Sequence, residues 1–310
     1  MAEFKVRLFG KFNVERGAQT IEEFQAHKVQ ELFSYLLISR KHPQPREVIC
    51  EALWENQSPS KAKKNLRQAL WRLQLALGNA ANSRKPEILA DSDWIQINPS
   101  ANFWLDVAKF EQIFNAFNDK DSRGLTSKDF NTVRSAVNLY RGDFLEGWYE
   151  DWCLFERERF QVMYLTLLDK LVKYCEMRGH YAVGLAYGTD ILRHDHAYER
   201  THRQMMRLYC MAGDRTQALH QYQRCVTALH NELDIEPSES TKRLYEEIRS
   251  DTFGSSLSSG KETSGESKET AQTLSRMLAR LEHFSDELSK IRFRIEQEVA
   301  ALGNTLSPPQ

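Results

Sequence analysis

A basic stretch without any acidic residue is the part of the chain best suited to binding a charged ligand. Between Asn56 and Pro86 there is no Asp or Glu. Arginine can donate two hydrogen bonds to guanine, glutamine can pair with adenine, and flanking cations can neutralise phosphates. The stretch therefore indicates DNA binding, although a solvated basic helix face is the other interpretation. Its seven cations are Lys61, Lys63, Lys64, Arg67, Arg72, Arg84 and Lys85.

The leucine spacing predicts that most of this stretch is a helix with one exposed face. The helix is expected to start after Ser58-Pro59 and to end near Gly78. Leu66, Leu70, Leu73 and Leu77 recur at i, i+4, i+7 and i+11, which turns them toward one side. The predicted outward residues are Lys64, Arg67, Gln68 and Trp71, with Lys61, Lys63 and Arg72 on the flanks.

We assign different roles to these side chains. Arg67 and Gln68 are predicted to contact base edges, and the remaining cations, with Arg84 and Lys85, are predicted to contact phosphates. Trp71 has two equally good interpretations, DNA contact or packing against a neighbouring helix or domain.

The elements around this helix predict a winged helix. Phe4, Val6 and Leu8 alternate with charged residues, which is typical of a strand. One helix is expected from His27 and a second from Pro45 to Trp54. Ile88-Leu89 and Trp94–Ile97 flank Asp91-Ser92-Asp93 as a hairpin would. Winged helices have this order of elements: strands, then three helices, then a hairpin. Their third helix enters the major groove.

From Asp106 to Phe253 the pattern is almost entirely helical, and it repeats. Gly179 and Gly213 end similar segments and are 34 residues apart. Paired helices with this period are typical of tetratricopeptide repeats.

The C-terminal segment predicts a linker followed by a coiled coil. Residues 254–270 are rich in Gly and Ser, and residues 271–303 carry apolar heptads. An amphipathic helix that folds back onto the repeats is the alternative. The predicted oligomerisation residues are Leu274, Met277, Leu281, Phe284, Leu288, Ile291, Ile295 and Leu302.

Composition excludes several classes of protein. The 42 basic and 43 acidic residues give a net charge of −1, but residues 1–100 carry 15 basic and 11 acidic side chains. A neutral total argues against a general DNA coat and predicts dependence on paired sites. No apolar run approaches the length of a membrane span, and five cysteines without a Cys-x-x-Cys pair suit a reduced, cytoplasmic protein.

Enzymatic chemistry has little support in the sequence. His194-Asp195-His196 with His202 is a weak metal candidate, and the carboxylate pairs Asp143/Glu146 and Glu156/Glu158 are more typical of surface ion pairs. Neither a G-x-x-x-x-G-K-[ST] loop nor a G-x-S-x-G elbow occurs. We therefore predict no enzyme activity, cofactor or metal.

Ordered motifs along residues 1–253 resemble one family of regulators. They are His27-Lys28, Leu32–Leu37, Arg46–Ile49, Leu53-Trp54, Leu66–Leu73, Asn98-Pro99, Trp104–Val107, Phe110, Tyr140–Leu145, Trp152, Glu156-Arg157, His220–Tyr222 and Glu232–Pro237. Together they resemble the Streptomyces-type antibiotic regulatory proteins, which join an OmpR-like winged helix to a bacterial transcriptional activator domain. The resemblance implies side-by-side dimers on direct repeats near promoters and recruitment of RNA polymerase through its sigma subunit.

The expected fold is mainly α with a small β component, and four segments are predicted. These are a winged-helix DNA-binding domain (1–103), a tetratricopeptide-like activator domain (104–253), a flexible linker (254–270) and a coiled-coil helix (271–303). The expected partners are double-stranded DNA, RNA polymerase and further copies of the chain, as a dimer or tetramer. The alternatives are a protein-interaction scaffold and a regulator gated by a small-molecule or protein effector.

Overall fold

The N-terminal part of the chain is a small sheet packed on helices. The computed structural model describes residues 4–17, 19–20, 24, 26–78 and 86–253. The first sheet has the order β3-β2-β1-β7, in which β1 and β2 are antiparallel and β1 and β7 are parallel. Its strands are β1 (Phe4–Arg7), β2 (Asn13–Arg16), β3 (Gln19–Thr20) and β7 (Phe103–Leu105). Phe4 and Val6 are buried while Lys5 and Arg7 are half-buried, as the alternation of apolar and charged residues predicts.

Three helices and a second sheet complete this half. The helices are α1 (His27–Ile38), α2 (Arg46–Trp54) and α3 (Pro59–Ala76). Pro59 occupies the first helical position of α3, where its missing N–H costs nothing. The second sheet has the order β4-β6-β5, formed by β4 (Gln44–Pro45), β5 (Ile88–Ala90) and β6 (Trp94–Ile97). The sequence predicted a two-stranded hairpin, and β4 adds a short third strand to it.

The second half is built from helices. They are α4 (Asp106–Phe117), α5 (Ser127–Val137), α6 (Asp151–Arg178), α7 (Tyr181–His194), α8 (Glu199–Met211), α9 (Arg215–Leu233) and α10 (Glu239–Arg249). The expected fold class, mainly α with a small β component, is confirmed. The turns after α6 and α8 contain Gly179 (φ 74°) and Gly213 (φ 82°), the two glycines of the 34-residue period. Both have left-handed backbone, which glycine adopts without steric cost. Whether these hairpins are tetratricopeptide repeats stays a prediction.

The two halves share one hydrophobic core. Buried Phe9 from the first half lies edge-on to Phe110 of α4 and Phe160 of α6, with ring centroids 5.1 and 5.2 Å away. The buried carboxylate of Asp106 accepts hydrogen bonds from the backbone N–H groups of Leu8 and Phe9, each at 3.0 Å. Residues 1–251 accordingly form one compact unit.

Some sequence predictions concern positions that this structure does not test. The predicted boundary between residues 103 and 104 falls inside β7, and the four segment limits remain predictions. Arg84 and Lys85, the linker and the coiled-coil helix lie outside the described residues. Among the helices that are described, none is long and apolar enough to cross a membrane.

Candidate nucleic-acid interface

Helix α3 presents its cations and its predicted base-contacting residues on the side away from the core. The leucines at 66, 70, 73 and 77 are buried. The exposed residues are Lys61, Lys63, Lys64, Arg67, Gln68, Trp71 and Arg72. We call this set of seven the α3 face. Each of these side chains is accessible to a DNA duplex. Their roles as DNA contacts stay predictions.

An apolar pair extends the α3 face toward the C-terminus of the helix. The side chain of Trp71 is 63% exposed and that of Leu75, one turn later, is 60% exposed. Trp71 is therefore not packed into the core formed by the residues that the structure describes. The sequence pattern did not predict that Leu75 is part of this surface. Its i+4 spacing from Trp71 could have indicated that the two side chains are neighbours on the helix.

One cation on the α3 face is paired with a carboxylate. Lys63 Nζ lies 3.1 Å from Glu47 Oε1 of α2, and both side chains are more than half exposed. Exposed pairs of this kind contribute little to stability and exchange readily with solvent or another anion. Lys61, Lys64, Arg67 and Arg72 form no ion pair with any residue that the structure describes, so their charges are available to phosphate.

In the wing turn between β5 and β6, the carboxylate of Asp91 is hydrogen-bonded to the backbone of the turn itself. Asp91 Oδ1 accepts hydrogen bonds from the backbone N–H groups of Asp93 (2.8 Å) and Trp94 (2.9 Å). These two bonds lower the pKa of Asp91 below its usual range. Arg46 Nε donates to the carbonyl of Asp91 (2.8 Å), which attaches the turn to the start of α2. The carboxylate of Asp91 thus faces backbone N–H groups of its own turn. This reduces its electrostatic repulsion of a DNA phosphate.

A cluster of charged residues joins α1 to the start of α6. Lys28 Nζ lies 2.6 Å from Glu31 Oε2, and His27 Nε2 lies 3.2 Å from Glu150 Oε1. Burial of Glu31, with the neighbouring Glu150 carboxyl, raises the pKa of Glu31 to about 8. The hydrogen bond with Glu31 lowers the pKa of Glu150 to about 2. The pKa values of the two carboxyl groups are therefore shifted in opposite directions, upward for Glu31 and downward for Glu150. Sequence reasoning missed this cluster, because Glu150 lies far from α1 in the chain and no local pattern connects them.

The histidine candidates are part of the helical framework. His202 is buried, its Nε2 lies 2.9 Å from the carbonyl oxygen of His196, and its Nδ1 lies 2.8 Å from Nε2 of Gln221. Burial lowers the pKa of His202 below its ordinary value, which favours the neutral ring. Both ring nitrogens of His202 are therefore engaged in contacts within the helical half.

One carboxylate of each pair considered for catalysis contacts a neighbouring side chain. Asp143 Oδ1 accepts a hydrogen bond from the hydroxyl of Tyr140 at 2.9 Å. Glu156 Oε2 lies 2.7 Å from the guanidinium of Arg159. Both contacts are local, the first within the loop between α5 and α6 and the second within α6.

Comparison with known proteins identifies the helical half. Residues 105–249 match the family model for the bacterial transcriptional activator domain. A search of curated proteins found no match. Among solved structures, the chain resembles Mycobacterium tuberculosis EmbR in complex with a low-affinity phosphopeptide, with a TM-score of 0.70, 17% identity, and coverage of 90% of this chain and 72% of that one. At this identity the likeness shows a shared fold. The family match confirms the resemblance that the motifs carry.

Proposed function

We propose that this chain, whose residues 105–249 match the bacterial transcriptional activator domain, is a sequence-specific DNA-binding activator. It binds direct repeats near promoters and recruits RNA polymerase through the sigma subunit. The observation that carries the DNA-binding part is the α3 face, an exposed set of residues that includes no acidic side chain, on the third helix of a winged helix.

The residues of the α3 face, with the neighbouring Leu75, divide into groups by their chemistry. Arg67 and Gln68 are adjacent, exposed and in the middle of α3, where base edges are within reach of a helix lying in the major groove. Lys61, Lys64 and Arg72 flank them and contact phosphates, which fixes the register of the helix on the duplex. Trp71 and Leu75 offer apolar surface, which suits the methyl group of thymine.

Rigid connection of the two halves supports a role in activation. The activator half is fixed to the winged helix by Asp106 and by the backbone hydrogen bonds of Gly10 N–H to Asp143 (2.9 Å) and Leu145 N–H to Leu8 (2.8 Å). A DNA-bound winged helix therefore holds the activator half in one orientation on the promoter. That arrangement suits contact with an RNA polymerase that binds the promoter at a constant distance from the repeats.

Selection of bound DNA from a random library with the full chain tests the proposal. We expect enrichment of a motif that occurs twice in the same orientation. Recovery of unrelated sequences would contradict specific binding. In the same assay, Arg67→Ala should relax the preference at one position, whereas Lys64→Ala should weaken binding to all sequences and lower the salt slope by about one.

Equal loss on specific and random DNA for both variants would contradict the division of roles. Recruitment is tested separately, by transcription in vitro from a promoter that carries the selected repeats. A chain that binds the repeats without raising transcription would contradict the activator part alone.

A groove in the helical half favours a second candidate function, control by an effector. It has a volume of about 470 Å³ and lies beside α9, with His196, Arg224, Asn231 and Glu232 among its lining residues. A protein or small-molecule effector bound there would make the chain an interaction scaffold or a ligand-gated regulator. Mobility-shift assays across salt concentrations separate a DNA-binding activator from a scaffold, because a scaffold without DNA affinity gives no shift at any salt. Calorimetry with candidate effectors tests the ligand-gated alternative.

A further inference from the structure

Three potential metal ligands converge where α1 meets the start of α6. They are His27 Nε2, a carboxylate oxygen of Glu31 and a carboxylate oxygen of Glu150, and all lie within 4.8 Å of one another. His27 Nε2 is 3.1 Å from Glu31 Oε1 and 3.2 Å from Glu150 Oε1. His27 and Glu31 are one turn apart on α1, and Glu150 is the N-cap residue of α6.

These separations suit a small divalent cation. Zinc binds imidazole nitrogen at about 2.0–2.1 Å and carboxylate oxygen at about 2.0–2.2 Å in tetrahedral geometry. Two ligands at such distances, at tetrahedral angles, lie roughly 3.3–3.5 Å apart. The observed 3.1 and 3.2 Å are close to that value, so a cation can enter with side-chain shifts of a few tenths of an ångström.

The side chain of Glu31 is built into the protein but lacks the hydrogen bonds that a buried carboxylate needs. It is fully buried, and its oxygens have no hydrogen bond of good geometry among the described residues, although Lys28 Nζ lies 2.6 Å from Oε2 and His27 Nε2 lies 3.1 Å from Oε1. Lys28 Nζ, which also donates to the carbonyl of Leu53 at 2.8 Å, lies beside Oε2 and leaves Oε1 directed at His27 and Glu150. A buried carboxylate in this state is costly unless a cation or a proton compensates it.

The proposed ligand His27 is held in one orientation and is accessible to solvent. The ring of His27 packs edge-on against Trp148, with centroids 4.6 Å apart, which restricts its rotation. Its side chain is 53% exposed, so a cation has an entry path and water can complete the coordination.

We propose that His27, Glu31 and Glu150 form a binding site for a divalent transition metal, with Zn²⁺ as the best match. The ion connects the first turn of α1, in the DNA-binding half, to the N-terminus of α6, in the activator half. Mixed nitrogen and oxygen ligands favour zinc over Mg²⁺, which prefers oxygen alone. The ion therefore adds a link between the two halves beside those of Asp106.

Calorimetric titration of the chelator-treated full chain with zinc chloride tests the site. We expect one Zn²⁺ per chain and a rise in Tm of a few degrees when zinc is in excess. His27→Ala and Glu150→Gln should each weaken zinc binding at least tenfold. His42→Ala, which removes another exposed histidine, should leave it unchanged.

Cobalt gives a second readout that does not depend on stability. The full chain should bind Co²⁺ with a visible absorption spectrum that His27→Ala removes, while the far-ultraviolet circular dichroism of the variant stays that of the parent. Absence of saturable zinc binding would overturn the proposal. So would binding that both variants retain, or a preference for Mg²⁺ over Zn²⁺.

Discussion

The charge available on α3 depends on which carboxylates face it from neighbouring elements. Leucine spacing was enough to predict which side of α3 is exposed, because helical periodicity is a local property. The pair of Lys63 with Glu47 depends on how α2 crosses α3, so the sequence could not predict it. The same holds for Asp91, whose charge the sequence placed at the wing but whose hydrogen bonds follow from the turn conformation. Residue roles in DNA contact are still predictions from residue type and exposure.

Glu47→Gln should increase DNA affinity a few-fold on all sequences, because it frees Lys63 and removes a negative charge near the phosphates. The measurement is the Kd for the selected site and for random DNA at several salt concentrations. Glu51→Gln is the matched control: it makes the same charge change on α2 at a residue that forms no ion pair with any described residue. An equal gain in both variants would show that general charge, and not release of Lys63, is responsible.

Glu111→Gln should lower the free energy of unfolding by about 2 kcal/mol at pH 7, because two guanidinium groups lose their carboxylate. Glu111 of α4 accepts from Arg159 of α6 at 2.7 Å and also pairs with Arg40, which follows α1. Burial would raise the pKa of Glu111, but hydrogen bonds from the two arginines hold it below its usual range.

A carboxylate whose pKa is lower in the folded state than in the unfolded state stabilises the fold at pH values above its unfolded-state pKa. This stabilisation is lost as the pH falls through the folded-state pKa. The difference between parent and Glu111→Gln should therefore be complete at neutral pH and shrink as the pH falls below the ordinary glutamate pKa of about 4.3. Urea unfolding from pH 3 to 7 measures it. Glu158→Gln, at an exposed residue of α6 that has no ion pair within the described chain, should show no such pH-dependent difference.

At the scale of elements, the close approach of α7 and α8 depends on two glycines. A Cβ on Gly184 would lie 3.1 Å from Leu208 Cδ1, and one on Gly188 would lie 2.8 Å from Met205 Cγ. The 34-residue period predicted paired helices with turns at Gly179 and Gly213, but it did not predict which helices approach most closely. Strands β4 and β7 were also missed, since runs of two and three residues carry no periodic signal. These elements form only when a partner strand is already in place.

Gly188→Ala should lower the free energy of unfolding by about 1–3 kcal/mol, because Met205 is nearly fully buried and must move to admit the methyl group. Urea unfolding at neutral pH is the measurement. Gly124→Ala is the control, since a methyl group there would meet no described atom within 4 Å and the φ of Gly124 is not left-handed. A stability equal to the parent in Gly188→Ala would mean that α7 and α8 can separate at no cost.

At the scale of the whole molecule, the charge distribution and the C-terminal heptads bear on assembly. Residues 1–100 carry 15 basic and 11 acidic side chains, so the rest of the chain supplies the acidic excess within a total of −1. A winged helix with this modest charge gains affinity by binding paired sites as a multimer. The heptads from Leu274 to Leu302 lie outside the described residues, so this part of the assembly rests on the sequence.

A chain ending at Phe253 should form a smaller assembly than the full chain and bind paired sites more weakly, because it lacks the predicted coiled coil. It keeps all of the compact unit of residues 1–251, so its fold should be retained. Light scattering gives the mass, and mobility shift gives the affinity. Leu281→Asp with Leu288→Asp in the full chain tests the seam without shortening it. An unchanged mass in both would favour the alternative of an amphipathic helix folded back on the repeats.

The pairing of β1 with β7 also determines when the chain can fold during synthesis. Leu8 and its partner Asp106 are 98 residues apart, and β1 aligns with β7 from Phe4 opposite Phe103. Closing a loop of that length costs about 4 kcal/mol of chain entropy before the contact forms. Until residues 103–106 leave the ribosome, the first strand has one edge unpaired and the N–H groups of Leu8 and Phe9 have no acceptor. The DNA-binding half therefore becomes complete only as the activator half begins to emerge.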